Sequence, residues 1–235
     1  MPASSAYKIA LSMVPATVEA LIDGGYFLCG MFAAQMTNDA ARPTIAFATQ
    51  SITPNMLIEW MPAIAAYTSN DPMESGRLIK PGYETAITEG QTFFVTTGGV
   101  GDVKGEGPLS KIAIANTTST PFTVGFARSV SASEASVPIF AVPLYGNQIN
   151  VAVPLPKILL LFTTAEFKPG TLVDRLTIKF LPTASYSSSL LVTADQIQMR
   201  ELSYDIDGGW SWGLYSWAQL VSGDADLAKV LIERK

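Results

Sequence analysis

The second half of this chain consists of short apolar segments that turn residues interrupt at regular intervals. From Lys111 onwards, runs rich in valine, isoleucine, leucine and phenylalanine end in glycine, proline, asparagine or serine, at a spacing of roughly 8–12 residues. This spacing is too short for strand–helix–strand units and is typical of sandwiches and barrels. The sequence therefore predicts an all-β protein, an antiparallel β-sandwich whose strand pattern also suits a jelly roll.

The same criterion applied to the whole chain gives a set of predicted strands. They cover residues 8–14, 26–35, 44–49, 57–60, 64–68, 91–97, 111–116, 122–128, 137–142, 148–153, 157–163, 173–181, 189–193 and 197–204. Residues 157–163 are apolar on both faces, which predicts a central strand covered on both sides. The chain shows no internal repeat and no linker, so residues 1–235 are predicted to form a single domain.

Two segments depart from the strand pattern and predict short helices. The first begins at Pro15, places Val18, Leu21 and Ile22 on one face, and stops at a glycine pair. The second occupies the tail, where Asp224 suits the N-cap position. Residues 230–232 of that tail fit a final strand as well as a helix.

The composition is apolar and poor in charge. Hydrophobic residues make up 48% of the chain and charged residues 15%, against about 25% charged in an average domain. This balance excludes disorder, and a surface with so little charge is weakly protected against self-association. The net charge of −5 comes without a basic run, which argues against a nucleic-acid partner.

The chain contains no histidine and a single cysteine, Cys29. Without histidine it cannot form a Ser-His-Asp triad, a Cys–His pair or a histidine-ligated zinc site. Cys29 lies in an apolar run and is predicted to be a buried free thiol. We therefore expect no cofactor and no metal site. A hydrolase that uses paired carboxylates needs no histidine and is retained as a third possibility.

No segment has the character of a signal peptide or of a membrane span. Acidic residues interrupt the apolar segment near the start, and the longest apolar run is too short to cross a bilayer. The sequence therefore predicts a protein that is cytoplasmic, or released without a classical signal peptide, with no transmembrane segment.

Two glycine-containing motifs fall short of known ligand sites. Residues 98–108 lack the Gly-Lys-Ser/Thr of a phosphate-binding loop and the spacing of a dinucleotide site. They predict a mobile, exposed hairpin loop in which Asp102, Lys104 and Glu106 offer contacts. Residues 205–209 begin like a calcium loop but lack its later acidic ligands, so they predict a tight turn; calcium bound by Asp205, Asp207 and backbone carbonyls is the minor alternative.

Three of the four tryptophans lie close together near the end of the chain. Trp210, Trp212, Tyr215 and Trp217 are the candidate ligand-binding residues. On a continuous strand, Trp210 and Trp212 would share one face and the other two rings the opposite face, but the neighbouring glycines indicate a turn or bulge. Such rings either fill a core or subunit interface, or they form a platform for carbohydrate or for a membrane surface.

These observations favour a non-enzymatic protein that acts through its surface. The first hypothesis is a homo-oligomeric or self-assembling structural or storage-type protein, whose partner is a second copy of the chain. The alternative is a module that binds carbohydrate or lipid, a lectin or a pore-forming cytolysin, through the cluster from Trp210 to Trp217.

Overall fold

A computed structural model describes residues 6–130, 135–175, 188–213 and 215–234. The strands are β1 (Tyr7–Ser12), β2 (Phe27–Met36), β3 (Arg42–Pro43), β4 (Phe47–Thr49), β5 (Asn55–Trp60), β6 (Ile64–Ser69), β7 (Tyr83–Ile87), β8 (Thr92–Val95), β9 (Gly101–Lys104), β10 (Ile112–Asn116), β11 (Phe122–Arg128), β12 (Val137–Pro138), β13 (Phe140–Leu144), β14 (Ile149–Thr163), β15 (Ser188–Thr193), β16 (Arg200–Asp205), β17 (Gly209–Ser211), β18 (Ala218–Ser222) and β19 (Ile232–Arg234). The helices are α1 (Pro15–Asp23) and α2 (Leu227–Leu231).

The strands form three sheets that are mostly antiparallel, and the predicted fold class is confirmed. One sheet has four strands in the order β17-β16-β1-β5. A second has nine strands, with β18-β15-β14-β10-β8-β9 as its path; β2 pairs with β14, and β4 and β19 pair with β2. The third has six strands, β3-β13-β11-β6-β7, with β12 paired to β11.

Strand β14 is the centre of the nine-stranded sheet. Its 15 residues join the two segments that the sequence predicts as separate strands. A bulge between Pro154 and Ile158 interrupts its pairing with β2, because prolines cannot donate to the ladder. Beyond the bulge, Ile158 and Leu160 enter the main core, whereas Leu159 and Leu161 enter a second core. The prediction of a strand covered on both faces is confirmed.

The main core lies where the three sheets meet. It combines side chains such as Leu11 from the four-stranded sheet, Phe32 from the nine-stranded sheet and Phe126 from the six-stranded sheet. The second core lies on the other face of the nine-stranded sheet and includes Leu227 and Leu231 of α2. The nine-stranded sheet therefore separates two apolar layers.

Helix α1 begins at Pro15 and buries Val18 and Leu21, as predicted. The prediction is wrong for Ile22, which is 53% exposed. Thr17 and Leu21, four residues apart, share the buried face with Val18 at its edge, whereas Ile22 lies about 40° beyond Val18 and turns outwards.

The tail forms both a helix and a strand. Helix α2 spans one and a half turns and is capped by Asp226, whose carboxylate accepts N–H groups from Ala228 and Lys229. The predicted cap, Asp224, is wrong, because its carboxylate instead accepts a hydrogen bond from the Ser222 hydroxyl. After α2 the chain straightens into β19 and pairs in parallel with β2.

The glycine-rich stretch is a hairpin, but its second arm is a strand. Gly98 and Gly99 form the turn at positive φ, and β9 returns along β8. The prediction of a loop is therefore wrong for Gly101–Lys104. Elsewhere, the predicted strand at 44–49 shortens to β4, and the part of the predicted strand at 173–181 that begins at residue 176 lies outside the described residues.

Cys29 is a buried free thiol, as predicted. Burial raises the pKa of the thiol to about 12, because the charged thiolate loses its hydration. No helix among the described residues combines the length and the apolar character needed to cross a membrane.

Candidate binding groove

The structure divides the predicted aromatic cluster into one core residue and three groove residues. Trp210, on β17, is only 7% exposed. Its ring stacks on Phe162, with 5.6 Å between centroids, and meets the edge of Tyr204 at 4.9 Å. Trp212, Tyr215 and Trp217 instead line an open groove, to which Trp210 does not contribute.

Local turns explain this division. The Asp205 carboxylate accepts the N–H groups of Asp207 at 3.0 Å and Gly208 at 2.8 Å, which forms the predicted tight turn between β16 and β17. These bonds lower the pKa of Asp205, because the N–H groups favour the ionised form. Gly213 then bends the chain at a φ of +70°, so strand alternation does not extend to the later rings.

The three groove aromatics are held by contacts within their own segment and by Arg200. The indole Nε1 of Trp212 donates to the Tyr215 carbonyl at 2.9 Å. Tyr215 is 64% exposed and stacks on Trp217, with 6.1 Å between centroids. The Arg200 guanidinium lies 5.2 Å from the Trp217 ring centroid and pairs with Asp195 at 3.6 Å. These three rings, Trp212, Tyr215 and Trp217, are called the aromatic wall.

The floor of the groove is the outer face of the four-stranded sheet. Ser12 of β1 lies in register with Ser203 of β16, which lies in register with Ser211 of β17. All three line the groove, and Glu201 lies beside them. We call Ser12, Ser203 and Ser211 the serine row. Neighbouring strands lie about 4.8 Å apart, so the three residues follow one another across the sheet at that interval. The Ser12 hydroxyl donates to the Leu202 carbonyl at 3.2 Å.

The groove has a volume of about 740 Å³. It adjoins a more apolar depression of about 450 Å³, which Leu57 and Met56 of β5 line. Ser12, Met199 and Glu201 line both of them. The outer face of this sheet therefore offers a continuous trough with a polar part beside the aromatic wall and an apolar part beside β5.

The other predicted contact residues lie on a different sheet. Asp102 and Lys104 belong to β9, at one end of the nine-stranded sheet, and Glu106 follows it. The Lys104 ammonium lies 5.2 Å from the Phe94 ring centroid. None of the three lines the trough, so the structure does not join them to the aromatic wall.

A separate groove of about 290 Å³ collects several carboxylates. Each is paired with a base: Asp39 with Arg234 at 3.3 Å, Asp174 with Arg42 at 3.1 Å, and Asp226 with Lys229 at 3.5 Å. Burial tends to raise the pKa of Asp226, but the Lys229 N–H and ammonium outweigh it and lower the pKa. The general acid of a glycosidase needs a raised pKa. The lowered pKa of Asp226 and the three ion pairs instead describe a network of salt bridges.

No group of three or more acidic or cysteine side chains within the described ranges is arranged to hold a metal ion. Among the groove residues, the sequence identified the aromatic wall but not Arg200, Glu201 or the serine row. Alternation along β16 is enough to put Glu201 and Ser203 on one face. The position of Ser203 opposite Ser12, and of Glu201 opposite Ala10, depends on a pairing between segments about 190 residues apart, for which the sequence contains no local signal.

Comparison of this chain with protein-family models, with curated proteins and with solved structures gives no match. The fold and the trough alone therefore define its class: a mainly β protein of three sheets, with an aromatic wall beside a serine-lined sheet face.

Proposed function

We propose that the protein is a non-enzymatic carbohydrate-binding protein that holds part of a glycan against the aromatic wall. The observation that carries the proposal is the serine row, in register across three strands, directly beside Trp212, Tyr215 and Trp217. A sugar ring has a C–H face, which stacks on the negative face of an aromatic ring, and a rim of hydroxyls, which exchange hydrogen bonds.

The charges of the groove favour a neutral ligand. Glu201 supplies a carboxylate that accepts hydrogen bonds, and Arg200 supplies donors. The positive charge of Arg200 is balanced by Asp195 at 3.6 Å. A ligand rich in hydroxyls satisfies such groups without bringing a charge of its own, which fits a neutral glycan better than an anion.

The same polar groups make a membrane a weaker fit. Rings that anchor a protein in a bilayer insert with apolar neighbours, since the hydrocarbon region cannot satisfy polar groups. Here the serine row and Glu201 lie against the aromatic wall. Insertion would place these hydroxyls and this carboxylate in or near the lipid without partners.

Glycan-array binding followed by calorimetry tests the proposal. Tyr215→Ala is the sharpest variant because Tyr215 is 64% exposed. We expect it to weaken binding of the array hit about tenfold, which corresponds to about 1.4 kcal/mol of stacking. Ser203→Ala is expected to weaken binding through lost hydrogen bonds. Tyr145→Ala is the matched control, since Tyr145 is 57% exposed and lies outside the trough.

The absence of any glycan hit, or equal affinity of Tyr215→Ala and wild type, contradicts the proposal. If the array gives no glycan hit, but the wild type binds liposomes and Tyr215→Ala does not, the result favours the lipid alternative instead.

Self-association is a second candidate, and two sheet edges favour it. Strand β5 ends the four-stranded sheet and β18 ends the path of the nine-stranded sheet. Leu57 on β5 is 57% exposed and Leu220 on β18 is 47% exposed. Strand β18 carries no charged residue and β5 carries one, Glu59; edges with so little charge are templates for pairing with another chain.

Sedimentation velocity over a range of protein concentrations tests this candidate. We expect oligomers whose fraction rises with concentration, and we expect Leu57→Lys or Leu220→Lys to shift the distribution to monomer. Leu109→Lys is the control, because Leu109 is 91% exposed but lies in a loop. A monomer at every concentration excludes the candidate.

A further inference from the structure

A buried arginine in the main core lacks partners for part of its guanidinium. Arg128, the last residue of β11, is 4% exposed. Within the part of the chain that the structure describes, no acceptor lies within hydrogen-bond distance of its Nε or Nη1. Its guanidinium lies 4.9 Å from the Phe32 ring centroid. That ring attracts the charge but leaves the N–H groups unsatisfied.

A second unsatisfied donor belongs to a ring that contacts the same phenylalanine. The Nε1 of Trp60 is buried and has no acceptor among the described residues. The Trp60 ring meets Phe32 at 5.2 Å between centroids and stacks on Tyr7 at 5.3 Å. Trp60, Phe32 and Arg128 belong to the four-, nine- and six-stranded sheets respectively, so both donor side chains contact Phe32 where the sheets meet.

The guanidinium keeps its charge at neutral pH. Burial lowers the pKa of Arg128 to about 10, and the Tyr7 phenol opposes this effect. The pKa of Tyr7 is itself raised, first by burial and then by the negative charges of Asp195 and Glu89. The ion pairs of the described residues do not include Arg128. A buried cation that has no counter-ion among residues 6–130, 135–175, 188–213 and 215–234 is costly, and a water molecule does not neutralise it.

We propose that Arg128 and Trp60 bind an oxyanion, a carboxylate or phosphate group, where the three sheets meet. A guanidinium presents paired N–H donors that match two oxygens of such a group. The indole N–H is a further donor and cannot accept. The bound group satisfies donors that have no acceptor in the described part of the chain, and it supplies a negative charge that this part does not place beside Arg128.

The test uses inorganic phosphate and acetate as probes, each titrated at constant ionic strength with sodium chloride as the reference salt. We expect the melting temperature to rise with phosphate, acetate or both, and not with chloride. In ¹⁵N-resolved NMR spectra, the Arg128 Nε–H and Trp60 Nε1–H signals are expected to shift together along the same titration. A response to one probe alone identifies which group the site takes. If neither probe shifts the two signals, the proposal is overturned.

Variants separate binding from packing. Trp60→Phe keeps a ring but removes the N–H, and we expect it to weaken oxyanion binding about tenfold. Arg128→Met fills similar volume without charge, and we expect it to lose the response while remaining at least as stable as wild type in chloride. Arg77→Met, at an exposed arginine, is the control and keeps the response. Wild-type affinity in Trp60→Phe overturns the proposal even if Arg128→Met fails to fold.

Discussion

Replacing Trp210 with alanine is expected to lower the free energy of unfolding by about 3–5 kcal/mol, the range for removal of a buried aromatic ring. The ring is only 7% exposed and contacts both Phe162 and Tyr204. Its loss therefore leaves a cavity between β14 and β16. Chemical denaturation followed by circular dichroism measures the change.

Tyr215→Ala is the matched control for this prediction. It removes an aromatic ring from the same segment, but one that is 64% exposed, so a change within about 0.5 kcal/mol is expected. If Trp210→Ala and Tyr215→Ala destabilise the protein equally, then Trp210 is not a core residue and Tyr215 an exposed groove residue, as the structure places them.

Replacing Gly101 with alanine is expected to lower the free energy of unfolding by at least about 2 kcal/mol, as for an overpacked site. A Cβ at this position would lie 2.0 Å from the Phe94 carbonyl oxygen and 2.8 Å from Phe93 Cε2. The first contact is with the backbone of the paired strand β8 and cannot be relieved by rotating a side chain. Urea titration gives the change in stability.

Gly105→Ala is the control for Gly101→Ala within the same glycine-rich stretch. A Cβ at Gly105 would meet nothing within 4 Å, so the expected change is within about 0.5 kcal/mol. If both glycines tolerate alanine equally, then β9 does not pack on β8 as described.

Local sequence patterns predicted those elements whose position depends on residues that are close together in the sequence. Pro15 and the glycines after Asp23 fix both ends of α1, and apolar alternation locates β11 within residues 122–128. The prediction separated residues 148–153 from 157–163 because prolines normally end strands. In β14 the neighbouring strands keep the chain extended through a bulge, and this tertiary effect has no local signature.

The site was predictable only in part for the same reason. The clustering of tryptophans identified the aromatic wall, but the turn closed by Trp212 and Tyr215 at 2.9 Å separates it from Trp210. Arg128 was predicted to lie in a strand. Its burial was not, because arginine is usually exposed and the rings that cover it come from other sheets.

The pairing of β1 with β16 has a consequence for how the chain folds. Ser12 and Leu202, which share a hydrogen bond, are 190 residues apart in the sequence, and β19 pairs with β2 across a similar separation. Ordering so long an intervening segment costs entropy before these contacts form, and proteins dominated by such contacts fold slowly. During synthesis β1 and β2 are followed soon by β5 and β4, which pair with them, but only much later by β14, β16 and β19. Until these later strands arrive, backbone edges of β1 and β2 remain unpaired, and the nascent chain needs protection from aggregation for that interval.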